Sequence, residues 1–185
     1  VMVIYGALLD GFFLKMSSGI TKNSVGNIQI EAPEYQDDPS LFSAIAHGQD
    51  IVNKLEELEI TVSGRLIGAA LAATASDSMG AMIYGVNAER EKKTSDIYKS
   101  LSVGQWLDAD SQQVVVGRIL ARNLNLSLGD EIVLLGQSAD GAMANDIFRV
   151  GGILKSIDGG IDRSGIFVNE QQFREFFVMP TGFHR

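Results

Sequence analysis

The stretch from Val114 to Leu135, VVVGRILARNLNLSLGDEIVLL, constrains this chain more than any other, because strand, helix and turn signals follow one another in it without a gap. The β-branched run Val114 to Val116 reads as a strand that stops at Gly117. Ile119, Leu120, Leu124 and Leu126 then fall near helical spacing, and Gly129-Asp130 turns the chain into a second strand, Glu131 to Leu135. Arg118 and Arg122, four residues apart, lie on a helix face away from the apolar one and read as its solvated side.

Ahead of this unit, Ile4, Leu8, Leu9, Phe12, Phe13, Met16 and Ile20 predict one apolar stripe on an N-terminal helix, broken by Ser24-Val25-Gly26-Asn27. Ile28-Gln29-Ile30 alternates as a half-buried strand, ended by Pro33, and a loop over 35–40 follows. Leu41 to Ala46 reads as a helical turn, and Asp50 opens a helix in which Ile51, Leu55 and Leu58 share a face. Within Thr61 to Ala75, the part from Leu66 to Ala75 is alanine-rich, which favours helix. Gly64, Gly68 and the Thr61-Val62-Ser63 lead-in favour strand, and strand is the expectation, followed by a turn at 76–80 and a second strand, Ala81 to Val86. Ala88 to Leu101 reads as a helix whose charge run, Glu89 to Lys93, faces water, and Trp106 as a packing anchor between two subdomains.

Beyond the unit, Asp140-Gly141 signals a hairpin, and Phe148, Val150 and Ile153 resume a strand. Ser156 to Gly165 reads as a glycine-rich loop and Ile166 to Val168 as a short strand. Asn169 is placed to cap a helix holding Phe173, Phe176 and Phe177, which Pro180-Thr181-Gly182 ends.

The net charge of -8 repels phosphate backbones and argues against a nucleic-acid partner. The absence of Cys removes thiolate catalysis and Cys-based metal sites. Gly160 to Gly165 has P-loop glycine spacing, but Ile166 stands where a phosphate-binding Lys belongs. With only His47 and His184 in the chain, a Ser-His-Asp arrangement is a poor expectation, and Asp108, Asp110, Asp158 and Asp162 lack the companions of a calcium loop. No cofactor, metal or catalytic residue is expected. No stretch reaches the ~18 apolar residues of a membrane span. The start at Val1 inside an apolar run suggests a piece of a longer chain.

The central unit, a polar hairpin and then FRVGGILKSIDGGIDRSGIFVNEQQFREFF, with GNIQIEAPEY (Gly26–Tyr35) and IYGVNAERE (Ile83–Glu91) before them, together resemble the extracytoplasmic domain of FtsX-like ABC-transporter permeases. That group contains MacB and the lipoprotein-releasing LolC/LolE proteins. The resemblance implies an α+β fold with an N-terminal stalk helix (1–24). It also implies a porter-like βαββαβ subdomain (25–107, completed by 166–185) and an inserted β-rich subdomain (108–165). It implies a non-enzymatic role, passing ATP-driven motion to substrate handling on the periplasmic side of the inner membrane, with lipoprotein release favoured over MacB-like efflux. The partners implied are a cytoplasmic ABC ATPase subunit, a second permease copy or paralogue, and a lipoprotein or periplasmic protein. In the lipoprotein-releasing branch the equivalent hairpin captures a soluble carrier. Gln137, Ser138, Asp140, Gly141, Met143 and Asn145 are therefore the candidate partner contacts, although this hairpin lacks the proline and arginines of the carrier-binding permease. A free-standing periplasmic ligand-binding module is the alternative reading.

Overall fold

The computed structural model describes residues 28–33, 35, 36, 40–108 and 112–185; the expected N-terminal stalk helix, Asn27 and Asp110 lie outside the described residues. In chain order the elements are α1 (Gly48–Glu57), β1 (Arg65–Ala73), β2 (Ser78–Val86), α2 (Ala88–Thr94), a 3-10 turn (Ile97–Ser100), β3 (Leu101–Gly104), β4 (Gln113–Val116), α3 (Arg118–Asn123), β5 (Glu131–Gln137), β6 (Met143–Leu154), α4 (Gly159–Ser164), β7 (Gly165–Asn169) and α5 (Glu170–Phe177). The fold is mixed α+β, and the central unit forms as strand, helix and strand.

The seven strands make one sheet in the order β3-β6-β4-β7-β2-β1-β5, and an additional pairing of β6 with β5 closes six of them into a ring. The length of β6 permits the closure. Its first part, Met143 to Arg149, runs antiparallel to β5, while Arg149 to Leu154 pairs with β4 and β3. All the ring strands feed one core cluster, which holds Leu66, Ile83, Val116, Ile132, Phe148 and Val168, with Leu120 of α3 and Phe173 and Phe177 of α5 packed into it. A second cluster gathers Val115, Phe167, Leu154, Ile97 and Leu107. Strands β4 and β7 are thus buried on both faces, which is why Val114 to Val116 reads as an unbroken apolar run rather than an alternating one. Trp106 packs in the second cluster, its ring 5.7 Å from Phe167. The expected insertion, 108–165, supplies β4, β5 and β6 to the same ring as β1, β2 and β7.

The alanine-rich stretch is a strand, and its glycine explains the choice. A Cβ on Gly68 would lie 2.7 Å from Cζ of Phe177, and one on Gly85 of β2 would lie 2.5 Å from Cβ of Phe173. The two phenylalanines of α5, their rings 4.5 Å apart, sit directly on the backbone of β1 and β2.

Four expectations need correction. Ile28-Gln29-Ile30 joins no strand among the described residues, and Ile28 stays 86 % exposed because no described sheet edge pairs with it to bury one face. The segment 88–101 is not one helix: Ser95 takes an extended conformation, its hydroxyl bonds the Glu91 carboxylate at 2.5 Å, and Thr94 turns its hydroxyl back on the Arg90 carbonyl. The glycine-rich stretch contains α4, started by Asp158, whose carboxylate accepts from the Gly160 and Ile161 amides. In α1 the buried apolar residue is Val52, while Leu58 follows the helix and is 69 % exposed.

Candidate functional site

The hairpin between β5 and β6 is tighter than its sequence suggests. Strand pairing runs out to Gln137 opposite Met143, so the loop is only residues 138–142. Gly141, at φ 85°, takes the left-handed conformation the turn requires. Ser138 is buried and spends its hydroxyl on Asp140 (2.5 Å) and the Ala142 carbonyl (3.0 Å). The Asp140 carboxylate is held below its usual range by the Ser138 hydroxyl and then by the Ala142 amide, so it stays ionised as the organiser of the turn. Gln137 reaches the Gly141 carbonyl at 3.4 Å. Of the six residues singled out in the sequence, Met143, 80 % exposed, and Asn145 present side chains outward without a role in the turn.

These two continue into an apolar strip that sequence reasoning passed over. On one face of the β5–β6 ladder, Val133 lies opposite Ile147 and Leu135 opposite Asn145, and β1 adds Leu71 opposite Leu135. Ile147 and Leu71 are 54 % and 41 % exposed. The alternation in Glu131 to Leu135 carried the signal for β5, but the resumption of the strand at Met143 was hidden by the polar pair Asn145-Asp146, which reads as a continuation of the turn. The strip ends at the Glu131–Arg149 ion pair, 3.5 Å across an exposed surface.

The hairpin is tied to the outgoing end of the chain. The Ala139 amide donates to the Phe177 carbonyl at 2.8 Å, fixing the loop to the end of α5. Arg174 in α5 donates to the Met179 carbonyl (3.1 Å) and the Gly182 carbonyl (3.0 Å), holding the tail that follows. That tail bridges Phe183 to Ile45 and bonds 184–185 to the backbone of Arg65. His184 is fully buried. Its Nδ1 accepts from the Ile67 amide at 2.9 Å, so Nε2 carries the proton and donates to the Leu41 carbonyl at 3.2 Å. Burial pushes its pKa down, against the Leu41 carbonyl, which favours the proton. Arg185 pairs with Glu31 at 2.7 Å. The incoming segment, β1 and the outgoing tail are therefore clamped at one place.

Two of the carboxylates considered for chemistry, Asp158 and Asp162, are occupied. Asp158 caps α4, and Asp162, buried, accepts from the Ser156 hydroxyl (2.5 Å) and the Ile157 amide (2.9 Å). The expected solvated charge run contains a buried member: Glu91 accepts from Arg65 at 2.5 and 3.1 Å, from Ser63 and from Ser95. Among the described residues no group of three or more His, Asp or Glu side chains could hold a metal ion.

The model of the MacB-like periplasmic core domain family matches residues 1–182. The chain belongs to this family. Its fold is also that of two solved members of the transporter world. One is the extracellular domain of the noncanonical ABC-type transporter YknZ from Gram-positive bacteria, 14 % identical over 83 % of this chain and 76 % of that one, at a TM-score of 0.56. The other is the periplasmic region of MacB from Actinobacillus actinomycetemcomitans, 15 % identical over 83 % of this chain and 69 % of that one, at a TM-score of 0.59. No curated protein matches the chain. As a family member the chain is a MacB-like periplasmic core domain, and among its described residues no helix is long and apolar enough to cross a membrane.

Proposed function

We propose that this domain passes ATP-driven motion of its permease to a substrate or partner outside the membrane, through the 138–142 loop and the apolar strip beside it. The observation that carries the reading is the continuous tie from the clamped tail, through Arg174 and the end of α5, to the hairpin at Ala139. A displacement of the chain ends is then carried into the hairpin by hydrogen bonds and packed phenylalanines rather than by a free loop. In this proposal residues 25–107 with 166–185 form the porter-like part, and 108–165 the part that bears the hairpin. The ATPase is a separate cytoplasmic subunit and the permease works with a second copy or paralogue. The Gly26–Tyr35 block favours lipoprotein release from the inner membrane over MacB-like efflux.

The test is Met143→Lys with Ile147→Lys in the intact permease. Both positions are exposed, so the fold is kept while the strip gains charge. Transport is expected to fall by about tenfold, the loss of one good apolar contact patch, with ATP hydrolysis unchanged. Normal transport would remove the strip from the mechanism. A free-standing ligand-binding module is the second reading, favoured by the groove described next, and saturable binding of a small solute to the 185-residue chain would support it.

A further inference from the structure

A groove of ≈ 470 Å³ opens beside α1, inside the ~300–1,000 Å³ range of ligand sites. Ile51 and Leu55 of α1, with Ile28, Ile30 and Ile60, give it an apolar wall, and Ile28, Ile30 and Ile60 are 86 %, 44 % and 49 % exposed. Two stretches outside the strands line it, 28–30 and 61–64, and neither makes a main-chain hydrogen bond with a described residue. Gly64 is buried and Val62 and Ser63 are half-buried. Main chain left without a partner is uncommon in folded proteins, and an unpaired stretch leading into a strand is a template for another strand.

Charge narrows the choice. In a chain of net charge -8 the groove is lined by Arg65, Lys93 and Arg185 and, among the described residues, by no Asp or Glu. Arg65 is engaged by Glu91 and Arg185 by Glu31, whereas Lys93 has no ion pair with a described residue. A lipid tail would cover the isoleucines but leave the main chain of 61–64 unpaired. A polypeptide strand answers both. We propose that the groove takes an extended segment of a partner protein, added as a strand along residues 61–64, apolar at alternate positions and carrying a carboxylate to Lys93. This surface is separate from the hairpin strip and does not depend on the permease reading.

The probe is a set of blocked octapeptides alternating valine or isoleucine with glutamate, serine or lysine, titrated into the 185-residue chain and followed by methyl and amide NMR. The glutamate peptides are expected to bind saturably, shifting the Ile28, Ile51 and Ile60 methyls and protecting the 61–63 amides from exchange. Lys93→Glu is expected to weaken them about fivefold, the scale of an exposed ion pair. N-methylation of alternate peptide amides is expected to cost about tenfold, as two lost main-chain bonds should. Absence of binding by every peptide would overturn the proposal, as would equal binding of the lysine series or of the N-methylated peptides. Hexadecanoate filling the groove without amide protection would assign it to a lipid instead. Cross-peaks from residues 1–20 to the Ile51 methyl in the free chain would assign it to the chain's own N-terminal segment.

Discussion

Glu91 and His184 each hold together parts of the chain distant in sequence, and neither was recognisable as such. Glu91 sits in a run of charged residues, Glu89 to Lys93, that helical periodicity assigns to solvent, yet its side chain is 0 % exposed. Its partner Arg65 lies 26 residues away, so the pair exists only once α2 packs beside β1. Glu91→Ala leaves Arg65 without its carboxylate and is expected to destabilise the domain by about 3 kcal/mol, the lower end for a broken buried pair because Arg65 keeps some exposure. Urea denaturation measures it, and a loss below about 0.5 kcal/mol, the scale of a surface pair, would contradict the network. His184 is neutral in the fold, with a pKa depressed by burial, so the folded state binds fewer protons than the unfolded one below the ordinary histidine value of about 6.5. Its stabilising contribution is complete above that pH and declines as the pH falls toward the depressed folded value. His184→Gln is expected to flatten the rise of stability between pH 5 and 7, and an unchanged slope would contradict the neutral, Nδ1-accepting state.

At the scale of elements, local pattern sufficed wherever it also decided packing. The unit from Val114 to Leu135, the Asn169 cap and the phenylalanines of α5 follow from spacing and cap chemistry, and the strand at 65–73 follows once its glycines are weighed against its alanines. Side-chain bonds of Thr94, Ser95 and Asp158 to nearby groups shifted what pattern alone assigned, ending α2 early and turning a supposed loop into α4. Gly85→Ala tests the α5 seat. The added methyl meets the Phe173 side chain, and a cost of about 1–3 kcal/mol is expected from overpacking. Thermal unfolding reads it, and an unchanged midpoint would mean that α5 does not rest on β2. The six candidate residues lie in the hairpin and on the strand ends beside it, but only the pairing of Val133 with Ile147 and Leu71 with Leu135 reveals the apolar strip that adjoins them.

At the scale of the whole molecule, ring closure and the clamped ends make the domain a poor absorber of motion. No reading of local pattern could give this, since it depends on the two parts of β6 finding different partners. Because every ring strand enters one core cluster, bending the ring would open that core, whereas moving the domain as a body disturbs none of it. The central claim is that the tail, α5 and hairpin travel together when the permease turns over ATP. The chain has no Cys, so labels at Asn53→Cys in α1 and Asn145→Cys in β6 are unique within this domain. The most direct measurement is the distance between these two labels in the intact permease, compared with the distance between the Asn145 labels of two copies in the proposed pairing, across the ATP cycle. The account predicts that the first stays constant while the second changes. A change in the first at constant second would place the movement inside the domain and contradict the claim.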